Sequence, residues 1–231
     1  MRNSSALLKI LLGVSLCFGQ EPDYVKQRNH MVEIQLEGRD IYNSHVLRAM
    51  KVVPRHLFVP KAQRAYSYSD GPLPIGHRQT ISQPYIVAFM TQALRLKKED
   101  RVLEVGTGSG YQAAVLGKIV DSVFTIEIVK PLAWEAKKRL ERLGYRNVQV
   151  NIGDGYHGWA EKAPFDAIMV TAGAEVIPQP LVEQLAEGGR MIIPIGPHNG
   201  IRQLVLVQKR KGKVKTTELM AVRFVPFTRK N

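Results

Sequence analysis

The chain reads as an α/β protein: a doubly wound, mostly parallel sheet with helices on both faces. Three observations carry that reading. From Arg101 onward, short apolar runs alternate with amphipathic stretches. A glycine-rich turn joins the first of these runs to the stretch that follows it. An acidic residue, Glu127, ends the second run.

The elements follow in order. Residues 31–50 carry Ile34, Ile41, Val46, Leu47 and Met50 at helical spacing, with Met31-Val32-Glu33 opening the pattern. Val53-Pro54-Arg55 and Val59-Pro60 end that region, because proline cannot continue a helix. Residues 61–80 are rich in Tyr, Ser, Gly and Pro and read as loop. Residues 84–96 read as a helix opened by Pro84, with Ile86, Val87, Met90 and Leu94 as its stripe. Strands are expected at 101–105, 123–128, 148–152, 165–170 and 190–195. Helices are expected at 111–119, 132–143 and 180–187, the last two closed by Gly144 and by Gly188-Gly189. Residues 203–209 and 216–224 read as antiparallel edge strands around a basic turn at Gly212. The whole is a Rossmann-like sheet with an N-terminal helical and loop extension: residues 31–231 form one domain, behind a non-core segment at 1–30.

Composition sets limits. The 231 residues carry 33 basic and 20 acidic side chains, a formal net charge of +13 spread along the chain. The single cysteine, Cys17, excludes an intrachain disulfide. The six histidines show no metal-ligand spacing, so no metal is expected. Residues 1–19 resemble a short secretory signal, with Arg2 ahead of an apolar stretch interrupted by Lys9. That stretch is too short for a membrane span, and stable membrane association is not expected. Cys17 invites a lipoprotein reading, against which Leu16 stands where a small residue is normal. The alternative is a true start at Met31.

The chemistry centres on Val102-Leu103-Glu104-Val105-Gly106-Thr107-Gly108-Ser109-Gly110-Tyr111. Its glycines let the backbone turn tightly and approach a ligand. Glu127 is placed to accept from ribose hydroxyls, a feature shared by NAD and S-adenosylmethionine sites. Two details favour the second cofactor. The third glycine comes one residue earlier than in a pyrophosphate-binding G-x-G-x-x-G turn. Glu104 would repel a pyrophosphate and suit a sulfonium or an amino group. Asp154, in Gly153-Asp154-Gly155, is placed to accept from an adenine amino group.

Further segments carry a resemblance. They are Pro54-Arg55-His56-Leu57-Phe58-Val59-Pro60, Leu73-Pro74-Ile75-Gly76 with Gln79-Thr80-Ile81-Ser82-Gln83-Pro84-Tyr85, Ala163-Pro164-Phe165-Asp166, Val170-Thr171-Ala172 and Val222-Arg223-Phe224-Val225-Pro226. Together with the glycine loop they resemble the protein-L-isoaspartate O-methyltransferase family, from about Met31 to Thr228. The resemblance implies methyl transfer from S-adenosylmethionine to the free carboxylate of L-isoaspartyl residues, with D-aspartyl residues as a secondary target, in damaged proteins and peptides. It implies Ser82 as the active-site residue and Thr80 and Ile81 as the adjoining wall. Gly106 and Gly108 would pass under the methionine part, Glu127 would hold the ribose, and Asp154 with Gly155 would meet the adenine. Arg78 departs from the family, which usually has a small residue there. A carboxyl group with a reference pKa near about 4 is already ionised at neutral pH, so no general base is required. A monomer is expected, in the cytoplasm where the donor is made, with export as the alternative.

Three rivals are weighed. A nicotinamide-dependent oxidoreductase fails on glycine spacing and on the lack of a second cofactor domain. A nucleic-acid methyltransferase is suggested by charge, but Thr171-Ala172-Gly173-Ala174 stands where amino-group methylases carry Asn/Asp-Pro-Pro-aromatic. No nucleic-acid partner is therefore expected. An exported, inactive binding homologue would explain the apolar start, but the retained Gln79–Ser82 segment argues against it.

Overall fold

The structure is a computed structural model that describes residues 23–229. The signal-like segment and Cys17 lie outside the described residues. Among those described, no helix is long and apolar enough to cross a membrane.

The first helix, α1 (Tyr24–His30), is capped by Asp23 and runs directly into a π-helical turn over Met31–Glu37. The helical stretch therefore starts ahead of Met31, where the apolar pattern first shows. Tyr24 stacks on His56 at 4.0 Å, and Arg28 donates to the Lys51 carbonyl. Ile34, expected in the apolar stripe, is instead 56% exposed. The wider π turn alters the angular step per residue, burying Met31, Val32 and Leu36 and rotating Ile34 outward. The stretch ends at Gly38 and restarts as α2 (Ser44–Val52), whose first turn is capped by the Asn43 side chain. The single helix expected over 31–50 is thus two pieces.

Residues 61–80 are also more ordered than expected. Lys61–Tyr66 is a 3₁₀ turn, and β1 (Leu73–Gly76) pairs antiparallel with β2 (Gln79–Ile81). The two residues between them, His77 and Arg78, both have positive φ, 50° and 57°. That geometry makes a tight hairpin and explains why a glycine suits position 78.

After α3 (Pro84–Ala93) the chain enters the main sheet. Its elements are β3 (Arg101–Val105), α4 (Tyr111–Leu116), β4 (Ser122–Glu127), α5 (Lys130–Arg142), β5 (Val148–Ile152), β6 (Phe165–Val170), α6 (Gln179–Gln184), β7 (Leu185–Ile195), β8 (Arg202–Arg210) and β9 (Lys213–Val222). The sheet order is β5-β4-β3-β6-β7-β8-β9. Strands β5 to β7 are parallel, and β8 and β9 add antiparallel at the edge. One expectation fails locally. Gly188-Gly189 do not stop a helix; they form an irregularity inside β7, because Leu185 already pairs with Phe165.

Alternate strand residues enter two separate cores. Val102, Val123, Ala167 and Ile192 pack on the face with α4 and α5. Leu103, Phe124, Ile168 and Met191 pack on the face with Leu181 of α6. Burial on both faces is why these strands read as continuous apolar runs. Strand order reverses at β3, whose neighbours β4 and β6 lie on opposite sides. The crevice beyond the carboxyl ends of β3 and β6 is where such sheets bind ligands.

Candidate active site

The glycine turn that leaves β3 defines this crevice. Gly106 has φ 99°, and a Cβ there would stand 2.3 Å from the Thr171 hydroxyl. Gly110, at φ 85°, opens α4. The Gly106 amide donates to the Ile126 carbonyl at 2.8 Å, which fastens the turn to the end of β4.

Glu127 completes the fastening from the next strand end. Its two carboxylate oxygens accept from the Gly108 amide at 2.8 Å and the Val129 amide at 2.9 Å. The side chain is nearly buried, yet it borders an open recess of about 570 Å³. The recess is walled by the glycine turn, by Ile126–Val129, by Gly155 and by Thr171. Gly155 is required there by space, because a Cβ would meet Val105 Cγ1 at 2.3 Å.

Two walls come from segments that sequence reasoning did not assign to the site. Thr171, just past β6, donates its amide to the Val105 carbonyl and its hydroxyl to the Val105 and Gly106 carbonyls. Val225–Thr228 lines the recess as a strap. The strap is held by Gly173, whose amide donates to the Val225 carbonyl and whose carbonyl accepts from Phe227. A Val-Pro pair after an edge strand carries no local signal of such a role.

The Thr80–Ser82 segment separates this recess from a second space. Thr80 and Thr171 border both the recess and a wider cleft lined by Ser82, Tyr85, Arg39 and residues 220–225. Ser82 and Ile81 also border a narrow channel between the cleft and the glycine turn. Arg39 pairs with Asp70 and lies over the Tyr85 ring at 4.7 Å. Arg78 is not in the cleft: it borders an outer groove beside Tyr156, His198 and Arg229.

The structure thus gathers Thr80, Gly106, Gly108, Glu127 and Gly155 on one wall, with Ile81 and Ser82 adjoining. Glu104 and Asp154 stand elsewhere. Glu104 is fully buried within β3 and borders none of these spaces. Its carboxyl accepts from Thr125, whose hydroxyl also meets Thr107 of the glycine turn at 2.6 Å. Burial pushes its pKa up to about 8; nearby Glu127 adds to the rise and the Thr125 bond opposes it. Asp154 caps the turn at Gly155–His157 and pairs with Arg229 at 2.9 Å, and that guanidinium lies 3.5 Å over the Tyr156 ring. Among the described residues, no group of three or more His, Cys, Asp or Glu side chains could hold a metal ion.

This geometry has close counterparts. The family model described as protein-L-isoaspartate(D-aspartate) O-methyltransferase matches residues 26–231. The chain is 58% identical over 230 residues to a protein-L-isoaspartate O-methyltransferase of Opitutus terrae, covering 99% of each. It is 52% identical over 208 residues to one from Syntrophobacter fumaroxidans, covering 90% of this chain and 97% of that one. A solved protein-L-isoaspartate O-methyltransferase superposes with a TM-score of 0.78 at 32% identity, over 86% of this chain and 65% of that one. A putative one from Plasmodium falciparum, solved in complex with S-adenosyl-L-homocysteine, gives a TM-score of 0.77 at 28% identity, over 88% of this chain and 99% of that one. On the family match over residues 26–231 and 58% identity across nearly the whole chain, the chain belongs to the protein-L-isoaspartate(D-aspartate) O-methyltransferase family.

Proposed function

We propose that this chain transfers a methyl group from S-adenosylmethionine to the free carboxylate of L-isoaspartyl residues in proteins and peptides, with D-aspartyl residues as a secondary target. One observation carries the reading. Thr80 and Thr171 border both the recess over the glycine turn and the open cleft, so ligands in the two spaces meet across them.

The recess fits the donor. Gly106 and Gly155 leave backbone surface where a Cβ would intrude, and Glu127 is pre-oriented by two amides with lone pairs remaining for ribose hydroxyls. Gly108 would lie under the methionine part, and Gly155 beside the adenine. Glu104 would act from behind the turn, through Thr125 and Thr107. Asp154 would meet the adenine amino group from the edge of the site while retaining Arg229. When bound, the donor supplies a methyl group on a cationic sulfur.

The protein's own contribution is alignment and water exclusion. The acceptor carboxylate is ionised at neutral pH, so the protein need not remove a proton. Ser82, which borders both the cleft and the narrow channel against the glycine turn, orients that carboxylate through its hydroxyl. The Val225–Thr228 strap shields the reacting atoms from solvent. Once the ester leaves, the next peptide nitrogen attacks its carbonyl and expels methanol, giving a succinimide that water reopens to aspartyl or isoaspartyl forms.

The test is transfer of labelled methyl to two peptides identical except for isoaspartate or aspartate at one position. Base-labile label on the isoaspartyl peptide alone is expected. Label on neither, or on both equally, rejects the proposal.

A further inference from the structure

Arg202 is 2% exposed, and among the described residues it forms no ion pair. A buried guanidinium without a carboxylate is costly to desolvate, so what it touches carries information. One terminal nitrogen donates to the Phe224 carbonyl at 2.8 Å, and the other donates to the His198 carbonyl. Its Nε has no partner and faces Gly173, where a Cβ would stand 2.1 Å away. Arg202 therefore touches three segments at once: the residue just before the strap, the loop between β7 and β8, and the glycine whose amide and carbonyl hold the strap on its other side.

We propose that Arg202 is a positioning residue for methyl transfer: it sets the height of the Val225–Thr228 strap, and with it the shape of both the recess and the cleft. The proposal rests on the functional reading above. Val225 borders both spaces, and Phe224 borders the cleft. The planar guanidinium fixes two carbonyls in one plane against a surface that only glycine leaves open. A lysine could reach one of those carbonyls but could not hold both in that geometry. An apolar side chain of similar length would fill the space and release the strap.

Arg202→Met and Arg202→Lys separate this role from simple stabilisation. A purely stabilising residue would lower thermal stability and leave the folded enzyme's kinetics intact. A positioning residue also changes the kinetics of the molecules that remain folded. Arg202→Met leaves the Phe224 and His198 carbonyls without their donor, so a lower melting temperature is expected as well, and the kinetics are read on the folded fraction. Its kcat/KM for an isoaspartyl peptide should fall on the order of 10- to 100-fold, as expected for small misplacement of reacting groups. Its affinity for S-adenosylhomocysteine, measured by calorimetry, should fall with it. Arg202→Lys should recover part of both losses.

A folded Arg202→Met enzyme with wild-type kcat, KM and S-adenosylhomocysteine affinity overturns the proposal. So does a loss of activity that tracks only the unfolded fraction. If Arg202→Met does not fold, Arg202→Lys decides: unchanged peptide KM and unchanged S-adenosylhomocysteine affinity count against it. Failure of the wild type to methylate the peptide strikes the functional reading instead. The calorimetric comparison then still judges Arg202.

Discussion

The hydroxyl of Thr171 donates to the carbonyl of Gly106 at 2.7 Å and occupies the space a side chain at position 106 would need. The end of β6 is thereby locked to the turn after β3, across the point where the sheet reverses order. Gly106→Ala should force the two apart and also strain a backbone at φ 99°. A penalty of about 1–3 kcal/mol translates to a 5- to 150-fold loss of S-adenosylhomocysteine affinity. Adding Thr171→Ala removes the clashing oxygen but not the strain. The double variant should bind better than the two single losses summed, by about 1 kcal/mol in a double-mutant cycle. Strictly additive losses would show that the contact does not shape the site.

Ser82 borders the cleft and the channel but none of the recess wall. Ser82→Ala should therefore leave S-adenosylhomocysteine affinity within about two-fold and lower kcat on the order of 10-fold, the scale of one lost hydrogen bond to a charged group. Methyl transfer should slow and persist. An intact Ser82→Ala enzyme with unchanged kinetics contradicts the assigned role.

Glu104 makes stability depend on pH. Its ordinary value is 4.5, and burial raises the folded value to about 8. Between those pH values the unfolded chain has released the proton and the folded chain keeps it. This contribution to stability is complete below 4.5 and is lost as pH rises to about 8, by up to about 1.4 kcal/mol per pH unit. Glu104→Gln should flatten that slope. Denaturant unfolding of both proteins at pH 5 and pH 8 measures it, and parallel pH trends would remove Glu104 as the cause.

Arg78 makes no hydrogen bond or ion pair among the described residues, and it faces the outer groove rather than the cleft. Arg78→Gly should therefore leave the peptide KM within about two-fold, as for a surface charge. It should also relieve a left-handed backbone at φ 57°, raising stability by up to about 1 kcal/mol. A ten-fold rise in peptide KM would assign Arg78 to substrate binding.

The sequence by itself determined the sheet and the core of the site. Strands buried on both faces must be apolar throughout, so β3, β5 and β6 have the same bounds by pattern and by structure. The glycine turn and Glu127 are equally local. Gly106 and Gly108 must adopt positive φ, and the carboxylate sits at a strand end whose position the pattern already marks. Only the tertiary structure decided the rest. The π turn that exposes Ile34 and the hairpin around His77 and Arg78 follow from packing rather than from periodicity. Thr171 and Val225–Thr228 enter the site because β6 lies beside β3 and the chain returns past Gly173, contacts that join residues far apart in sequence. Glu104 looks like a ligand contact in the linear motif. The pleat turns its side chain to the buried face opposite Leu103 and Val105, beside Thr125, because successive residues of a strand face opposite sides.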